Sequence, residues 1–214
     1  MGVKIHTVFV TYNRLELTKI AISSYLETVT LPYSLCVVDN ASTDGTRNWL
    51  LDLLSEKRDE KLTVVLFDRN YYPGRACNIG WQTAPGDTTL LQRADNDFAF
   101  LPGWCDLVVE AFLRNERLGQ LGLRTDEEEC FVKMNVGGNC VIRRELWENG
   151  LRYDETPWTD YPPGYSEDSY FSPAVQAMGW EWDRVDVSCL RSLASGDLSD
   201  PYYRESYGAR RIVS

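Results

Sequence analysis

Two carboxylates stand one residue apart in the stretch RADNDFAF, residues 93–100. Asp95 and Asp97 follow an apolar run, at a point where we expect a strand to end. Two like charges this close repel each other unless a cation lies beside them. Carboxylate oxygens are hard ligands that suit Mg²⁺ or Mn²⁺. The pair therefore predicts a divalent metal site, and the alternative is a pair of solvated loop acids.

The apolar pattern of the first half of the chain predicts the elements that position these acids. Runs of β-branched and apolar residues, typical of buried strands, alternate with runs of helical periodicity. The predicted strands are 4–11, 33–39, 61–67 and 88–93, and the predicted helices lie within 15–27, 42–55, 74–84 and 103–115. This alternation predicts an α/β fold, in which a mostly parallel, Rossmann-like sheet is flanked by helices.

Polar side chains follow each of the four predicted strands. The clusters are Thr11-Tyr12-Asn13, Asp39-Asn40, Asp68-Arg69-Asn70 and Asp95-Asn96-Asp97. Ligands of such sheets bind beyond the carboxyl ends of the strands. Four polar clusters on one rim therefore predict a polar ligand that spans the sheet.

The second half of the chain is less regular. The run 130–146 predicts a strand, a glycine break, a second strand and a short helix. The run 153–168 is rich in Pro, Tyr and acids and predicts a long loop. A helix then starts after Ser166, a candidate N-cap residue, with Pro173 inside it.

The composition restricts the class of partner. The 214 residues carry a formal net charge of −10, with 43% hydrophobic and 25% charged residues, which is ordinary for a globular protein with a sizeable core. The acid excess argues against a nucleic-acid partner, which needs a basic surface, and against docking on anionic lipid. No apolar run approaches the roughly 20 residues that span a bilayer.

The six cysteines form no metal-binding spacing, and most lie in apolar surroundings. We expect them to be reduced thiols in the core. The chain enters a predicted strand almost at once, so we expect no signal peptide. Both observations favour a cytoplasmic location.

The order of six motifs resembles the GT-A glycosyltransferases of family 2. The motifs are VFVTYNR, VVDNASTDGT, NYYPGRACNIG, DNDFAFLPGW, VGGNCVIRRELWENGLRYDE and SEDSYF. The resemblance runs from about residue 4 to about residue 180, and VVDNASTDGT is its most specific part. A narrower resemblance, to chlorovirus glycosyltransferases that decorate the capsid, would place the enzyme in the host cytoplasm.

This resemblance implies a GT-A fold with a smaller acceptor-side sheet. It also implies a UDP-sugar donor, Mn²⁺ or Mg²⁺, and transfer of a hexose or deoxyhexose, with inversion, to a hydroxyl of a glycan or glycoprotein. We expect one domain over 1–214, with a nucleotide-binding half at 1–100 and an acceptor-binding half at 101–214. That domain can also be the first of a longer protein.

The resemblance assigns the donor contacts to residues that follow the strands. Asp39 would accept the imide N–H of uracil, although a turn-forming role before ASTDG is an alternative. Thr11 and Arg14 would belong to the loop that holds the base and the diphosphate. Further donor contacts are expected from Asn70, Arg75, Asn78, Asp95 and Asn96, and for Arg75 an ordinary surface position is the alternative.

The resemblance also assigns the metal ligands and the reacting groups. Asp97 would bind the metal directly, Asp95 would contact the ribose or reach the metal through water, and Asp168 would be the general base. The acceptor or sugar side would contain Gly138, Asn139, Glu167 and Trp158. An acid at a helix N-terminus is stabilised by about 0.3–1 kcal/mol in any case, so a structural role for Asp168 stays open.

The chain departs from the family pattern in two places. Tyr72 and Cys77 occupy positions where family members usually have Gly and Arg. Family members also often have a His after the last core strand, whereas the single histidine here is His6, which we expect in the core. The tail 188–214, with the loop 153–165, would close over the donor instead and supply cations: Arg191, Arg204, Arg210 and Arg211.

Other classes of protein remain as alternatives. A phosphatase or mutase would carry its paired aspartates after the first strand, not the fourth. A sugar nucleotidyltransferase would need a basic, glycine-rich N-terminal loop, which this sequence lacks. A non-catalytic module that binds nucleotide sugars would keep Asp39 and Asp97 but would not need Asp168.

Overall fold

The protein was analysed as a computed structural model, which describes residues 2–57, 60–124, 135–162 and 165–193. The strands are β1 (Ile5–Thr11), β2 (Tyr33–Asp39), β3 (Leu62–Leu66), β4 (Leu90–Asp95), β5 (Phe98–Phe100), β6 (Leu118–Gly122), β7 (Cys140–Arg143), β8 (Glu181–Arg184) and β9 (Leu190–Ser192). The helices are α1 (Leu15–Thr28), α2 (Thr46–Lys57), α3 (Tyr72–Trp81), α4 (Trp104–Arg114), α5 (Arg144–Glu148) and α6 (Glu167–Ala177), with one 3₁₀ turn at Trp158–Asp160.

Seven of these strands form one sheet in the order β3-β2-β1-β4-β7-β6-β8. The first four are parallel, β7 is antiparallel to both of its neighbours, and β8 is parallel to β6. A separate antiparallel pair joins β5 to β9. The predicted α/β class, with a mostly parallel sheet and a smaller second sheet, is confirmed.

The strand register brings the carboxyl ends of the first strands to one edge. Thr11 pairs with Asp39, and Val10 pairs with Asp95. Three of the predicted polar clusters therefore start side by side, as a parallel sheet requires.

The two faces of the sheet carry separate hydrophobic layers. Tyr25 and Trp104 belong to the layer under α1, α2 and α4, whereas Trp81 and Phe171 belong to the layer under α3, α5 and α6. Strands covered on both faces are apolar throughout, which is why every residue of β1 is buried. This rigid centre supports the polar edge.

Some element boundaries differ from the predictions. Helix α3 begins at Tyr72 rather than at 74, because Pro73 is well tolerated in a first helical turn. The sequence predicts no element at β6, which the structure shows as a buried strand. Strand β7 and helix α5 confirm the second part of the prediction for 130–146, and residues 125–134 lie outside the described part.

The cysteines agree with the predicted reduced core. Cys36, Cys77, Cys105, Cys140 and Cys189 are buried free thiols, and Cys130 lies outside the described residues. Within the described ranges, no helix is long and apolar enough to cross a membrane.

Candidate active site

The loop after β1 is tied to the loop after β2. Asn13 and Arg14 have left-handed backbone conformations, with φ of 55° and 62°. The Asn13 N–H donates to Ser42 Oγ at 2.7 Å, and the Asn13 side-chain oxygen accepts the Thr43 N–H at 2.8 Å. These bonds fix the loop whose next side chain, Arg14, enters the site.

Asp97 forms an ion pair with that arginine. Arg14 Nη1 donates to Asp97 Oδ2 at 2.8 Å, and the Asp97 side chain is 21% exposed. Burial and the charge of Asp95 raise the pKa of Asp97 to about 6, although Arg14 opposes this shift. The segment after β9 lies against the same residue, because the Leu193 N–H donates to the Asp97 carbonyl oxygen at 2.8 Å.

Asp95 is held by the glycine-rich turn before β7. Its N–H donates to Asn139 Oδ1 at 2.9 Å, and Asn139 Nδ2 donates to Asp95 Oδ2 at 3.1 Å. A methyl group at Gly138 would lie 2.6 Å from Asp95 Oδ2, so this turn needs glycine for the close approach. The predicted acceptor-side residues Gly138 and Asn139 therefore contact the predicted metal-side acid.

A buried arginine that the sequence analysis did not single out lies between the acids. Arg93 is 4% exposed and forms ion pairs with Asp95, Glu167 and Asp168 at 3.3, 2.9 and 2.8 Å. Burial acts to lower the pKa of the guanidinium, but the charges of Asp168, Asp95 and Glu167 outweigh it and raise that pKa. The available signal was a charged residue within a strand that a parallel sheet would bury, since β4 reads LLQRAD.

Asp168 lies in the first turn of α6. Its carboxylate accepts from Arg93 Nη1 at 2.8 Å, and 18% of the side chain is exposed. The helix begins with a capping box between Ser166 and Ser169, which confirms the predicted N-cap and stabilises the first turn. The structure thus brings Asp168 and Asp95 to opposite sides of one guanidinium.

Glu167, the neighbour of Asp168 in the chain, is hydrogen-bonded to Trp158. Glu167 is 2% exposed and accepts from Arg93 Nη2 through one oxygen and from the Trp158 indole N–H, at 2.8 Å, through the other. The Trp158 ring lies 6.4 Å from the ring of Tyr72. Tyr72 has φ of 65°, a left-handed conformation that is strained for a tyrosine.

Asp39 and Thr11 end their strands at the same edge. Asp39 is fully buried and accepts the Ser42 N–H at 3.2 Å, which is the turn-forming contact that the sequence analysis left open. The Thr11 hydroxyl donates to the Val38 carbonyl oxygen at 3.3 Å. Their roles in donor binding stay predictions.

Two predicted donor contacts have structural partners instead. Asn96 is buried and donates to the Asn13 carbonyl oxygen and to Thr18 Oγ1, at 3.0 and 2.9 Å. Asn78 is buried and bonds the backbone of Tyr153 in both directions, at 2.9 and 3.0 Å. Asn96 thus joins the end of β4 to the loop after β1 and to α1, and Asn78 joins α3 to the segment at Tyr153.

Two further candidates lie at the rim. Asn70 Oδ1 accepts the Tyr72 N–H at 2.8 Å and so shapes the start of α3. Arg75 is exposed, lies 4.6 Å from the ring centre of Tyr71, and is 3.8 Å from Glu155. These contacts fit the surface alternative for Arg75.

The acids present fit a hard divalent cation. Asp95 and Asp97 are both partly exposed at one strand end, and oxygen ligands of this kind suit Mg²⁺ or Mn²⁺. Among the described residues, no group of three or more His, Cys, Asp or Glu side chains is placed to hold a metal. Of the tail arginines, Arg191 is exposed on β9, and Arg204, Arg210 and Arg211 lie outside the described residues.

The comparisons with known proteins agree with the fold described above. The model of glycosyl transferase family 2 matches residues 7–157. A search of curated proteins finds no match.

Solved structures share the fold at low sequence identity. A mannosyltransferase from Pyrobaculum calidifontis, in complex with GDP-Man and Mn²⁺, is 21% identical over 90% of this chain, with a TM-score of 0.71. The S. aureus protein TarS in complex with UDP is 17% identical over 87% of this chain, with a TM-score of 0.64. Its complex with UDP-GlcNAc is 16% identical over 98% of this chain, with a TM-score of 0.64. The chain spans 58%, 59% and 66% of the chains in these three structures, respectively.

Proposed function

The chain belongs to glycosyl transferase family 2, and from that premise we propose that it is a metal-dependent, inverting enzyme. It would move a hexose or deoxyhexose from a UDP-sugar to a hydroxyl of a glycan or glycoprotein. The observation that carries this proposal is the cluster in which one guanidinium holds both Asp95, on the donor side, and Asp168, on the acceptor side.

A nucleoside diphosphate fits the donor side of the site. The solved relatives bind GDP-Man with Mn²⁺, UDP and UDP-GlcNAc, which supports a nucleotide sugar as the donor here. Asp39 would accept the uracil N–H, and Thr11 and Arg14 would contact the nucleotide from the loop after β1. Asn70, Arg75, Asn78 and Asn96 would shape this side mainly through the protein contacts described above.

Asp97 and Asp95 would hold Mn²⁺ or Mg²⁺. The ion would offset the negative charge that develops on the departing diphosphate. Arg14, which pairs with Asp97 at 2.8 Å, is a charge-assisted donor for a phosphate oxygen.

Asp168 would take the proton from the acceptor hydroxyl. It pairs with Arg93 at 2.8 Å and is partly exposed, so an acceptor can reach it. The acceptor oxygen would attack the anomeric carbon on the side opposite the diphosphate, which gives inversion. The turn at Gly138 and Asn139 allows close approach, and Trp158, oriented by Glu167, would present its ring to a sugar.

The two halves, 1–100 and 101–214, would form one domain. Strand β7 of the second half pairs with β4 of the first, so neither half completes the sheet alone. The five buried free thiols are typical of a reducing compartment and support a cytoplasmic location.

A non-catalytic nucleotide-sugar binding module is the second candidate. The ion pair of Asp168 with a buried arginine favours it, because such a pair also serves structure alone. Turnover that depends on Asp168 is expected of the enzyme and not of the binding module.

Calorimetric titration tests the donor and the metal together. We expect UDP to bind tightly with Mn²⁺ and weakly in EDTA. Equal affinity for UDP with Mn²⁺ and in EDTA would contradict the metal-dependent donor site.

A further inference from the structure

We propose that Arg93 is a positioning residue that fixes the base Asp168 relative to the metal ligand Asp95. The inference rests on the proposed function and deepens it. Arg93 itself contacts neither donor nor acceptor. It acts through the carboxylates that do.

The contacts of Arg93 join the end of β4 to the start of α6. Nη1 donates to Asp168 Oδ1, Nη2 donates to Glu167 Oε1, and both Nε and Nη2 donate to Asp95 Oδ1. The guanidinium is planar, and its donors form a rigid fork. Carboxylates bound to different arms of that fork therefore have a fixed separation and orientation. A lysine, with one rotatable ammonium group, cannot hold all three in this way.

The surroundings of Arg93 lock its own position. The guanidinium carbon lies 4.9 Å from the ring centre of Tyr153, and a methyl group at Gly138 would lie 2.8 Å from Nη2. Glu167 is held in turn by the Trp158 indole. A group that positions a reacting side chain must itself be held by packing and hydrogen bonds, and Arg93 meets this requirement on both sides.

The charges require a cation at this place. Asp95, Glu167 and Asp168 would otherwise repel one another in a site where Glu167 is 2% exposed. Arg93 has three carboxylate partners, and one of them is the proposed base, so the cluster restrains Asp168 before the acceptor binds.

The test is a double-mutant cycle in turnover. We expect Arg93→Lys to lower kcat by about 10–100-fold, a loss typical of residues that orient a reacting group. The KM for the donor and the Mn²⁺-dependent affinity for UDP should change little, because Asn139 still holds Asp95 and Asp97 keeps its own partner, Arg14. In the Asp168→Asn background, Arg93→Lys should lower kcat no further, because its effect passes through Asp168. Arg114→Lys, an exposed arginine of α4, is the matched control.

The opposite results overturn the inference. If the two losses in kcat multiply in the double variant, Arg93 has a general structural role. A parallel loss of UDP affinity in Arg93→Lys would show the same. If Arg93→Lys does not fold, the same cycle is measured with a variant that combines Arg93→Lys and Glu167→Gln. The second change removes one buried negative charge from the cluster. A wild-type protein that binds UDP with Mn²⁺ but releases no UDP from any donor contradicts the proposed function itself, and this inference falls with it.

Discussion

Three acids of the candidate site are each restrained by a partner that leaves the side chain partly exposed. Arg14 holds Asp97, Asn139 holds Asp95, and Arg93 holds Asp168, yet all three acids are partly exposed. Restraint of this kind lowers the entropy lost when a ligand binds. The residues of the site are therefore arranged before donor and acceptor arrive.

Asp97→Asn tests the proposed metal ligand directly. The amide carries no charge, so the variant should lose most of the gain in UDP affinity that Mn²⁺ provides, while the affinity in EDTA stays close to that of the wild type. Calorimetry with and without Mn²⁺ measures both. Asp106→Asn, an exposed acid in the first turn of α4, is the control. If Mn²⁺ raises the UDP affinity of Asp97→Asn as much as that of the wild type, Asp97 is not a metal ligand.

The sequence predicted the acids of the site but not the cation between them. Acids after strand ends follow a positional rule, because the carboxyl ends of parallel strands share one edge. The role of Arg93 depends on residues 74 and 75 positions away, and no local pattern states which distant acids meet an arginine in a strand.

Several elements are joined by single buried polar side chains. Asn78 of α3 bonds the backbone of Tyr153 in the loop before the 3₁₀ turn. His6 of β1 contacts Ser34 Oγ of β2 at 2.8 Å and the Gly80 carbonyl oxygen of α3 at 3.1 Å. These contacts join the segment at Tyr153 to α3, and α3 to the sheet.

Asn78→Ala tests whether this amide serves structure. The change leaves the Tyr153 N–H and carbonyl oxygen without their partner, so stability should fall by about 1–3 kcal/mol. Urea unfolding measures the loss, and Gln82→Ala, exposed just after α3, is the control. UDP affinity should stay the same. A large loss of UDP affinity with unchanged stability would instead show that Asn78 contacts the donor.

His6 makes the stability of the protein depend on pH. Burial lowers the pKa of His6 from 6.5 to about 4, so the unfolded state binds more protons between these values. Stability should therefore fall as the pH is lowered, by about 2 kcal/mol from about pH 7 to about pH 5. Urea unfolding of the wild type and of His6→Gln at both pH values isolates this contribution. A loss of the same size in the variant would show that other groups cause it.

At the scale of elements, the sequence predicted the regular alternation and missed β6. Strand β6 reads LGQLG, and glycine inside a strand usually argues against one. Here Trp180 and Val136 pack so closely that methyl groups at Gly119 and Gly122 would each lie 2.7 Å from them. The glycines are required by packing from distant parts of the chain, which a local pattern does not contain.

The whole molecule has the GT-A fold that the order of motifs implied. A family model matches residues 7–157, and the structural relatives share the sheet at 16–21% identity. The sequence was sufficient for the fold class because strand and helix periodicity survive at this identity. It was insufficient for the acceptor side, where loops rather than periodic elements form the surface.

The central claim is that this site transfers a sugar with Asp168 as the base. Release of UDP from a panel of UDP-sugars, with Mn²⁺ and simple glycosides as acceptors, measures it most directly. We expect the wild type to release UDP, EDTA to abolish the release, and Asp168→Asn to lower turnover by about 10²–10⁴-fold with unchanged UDP affinity. Release by Asp168→Asn at the wild-type rate, or no release by the wild type from any donor in the panel, would contradict the claim.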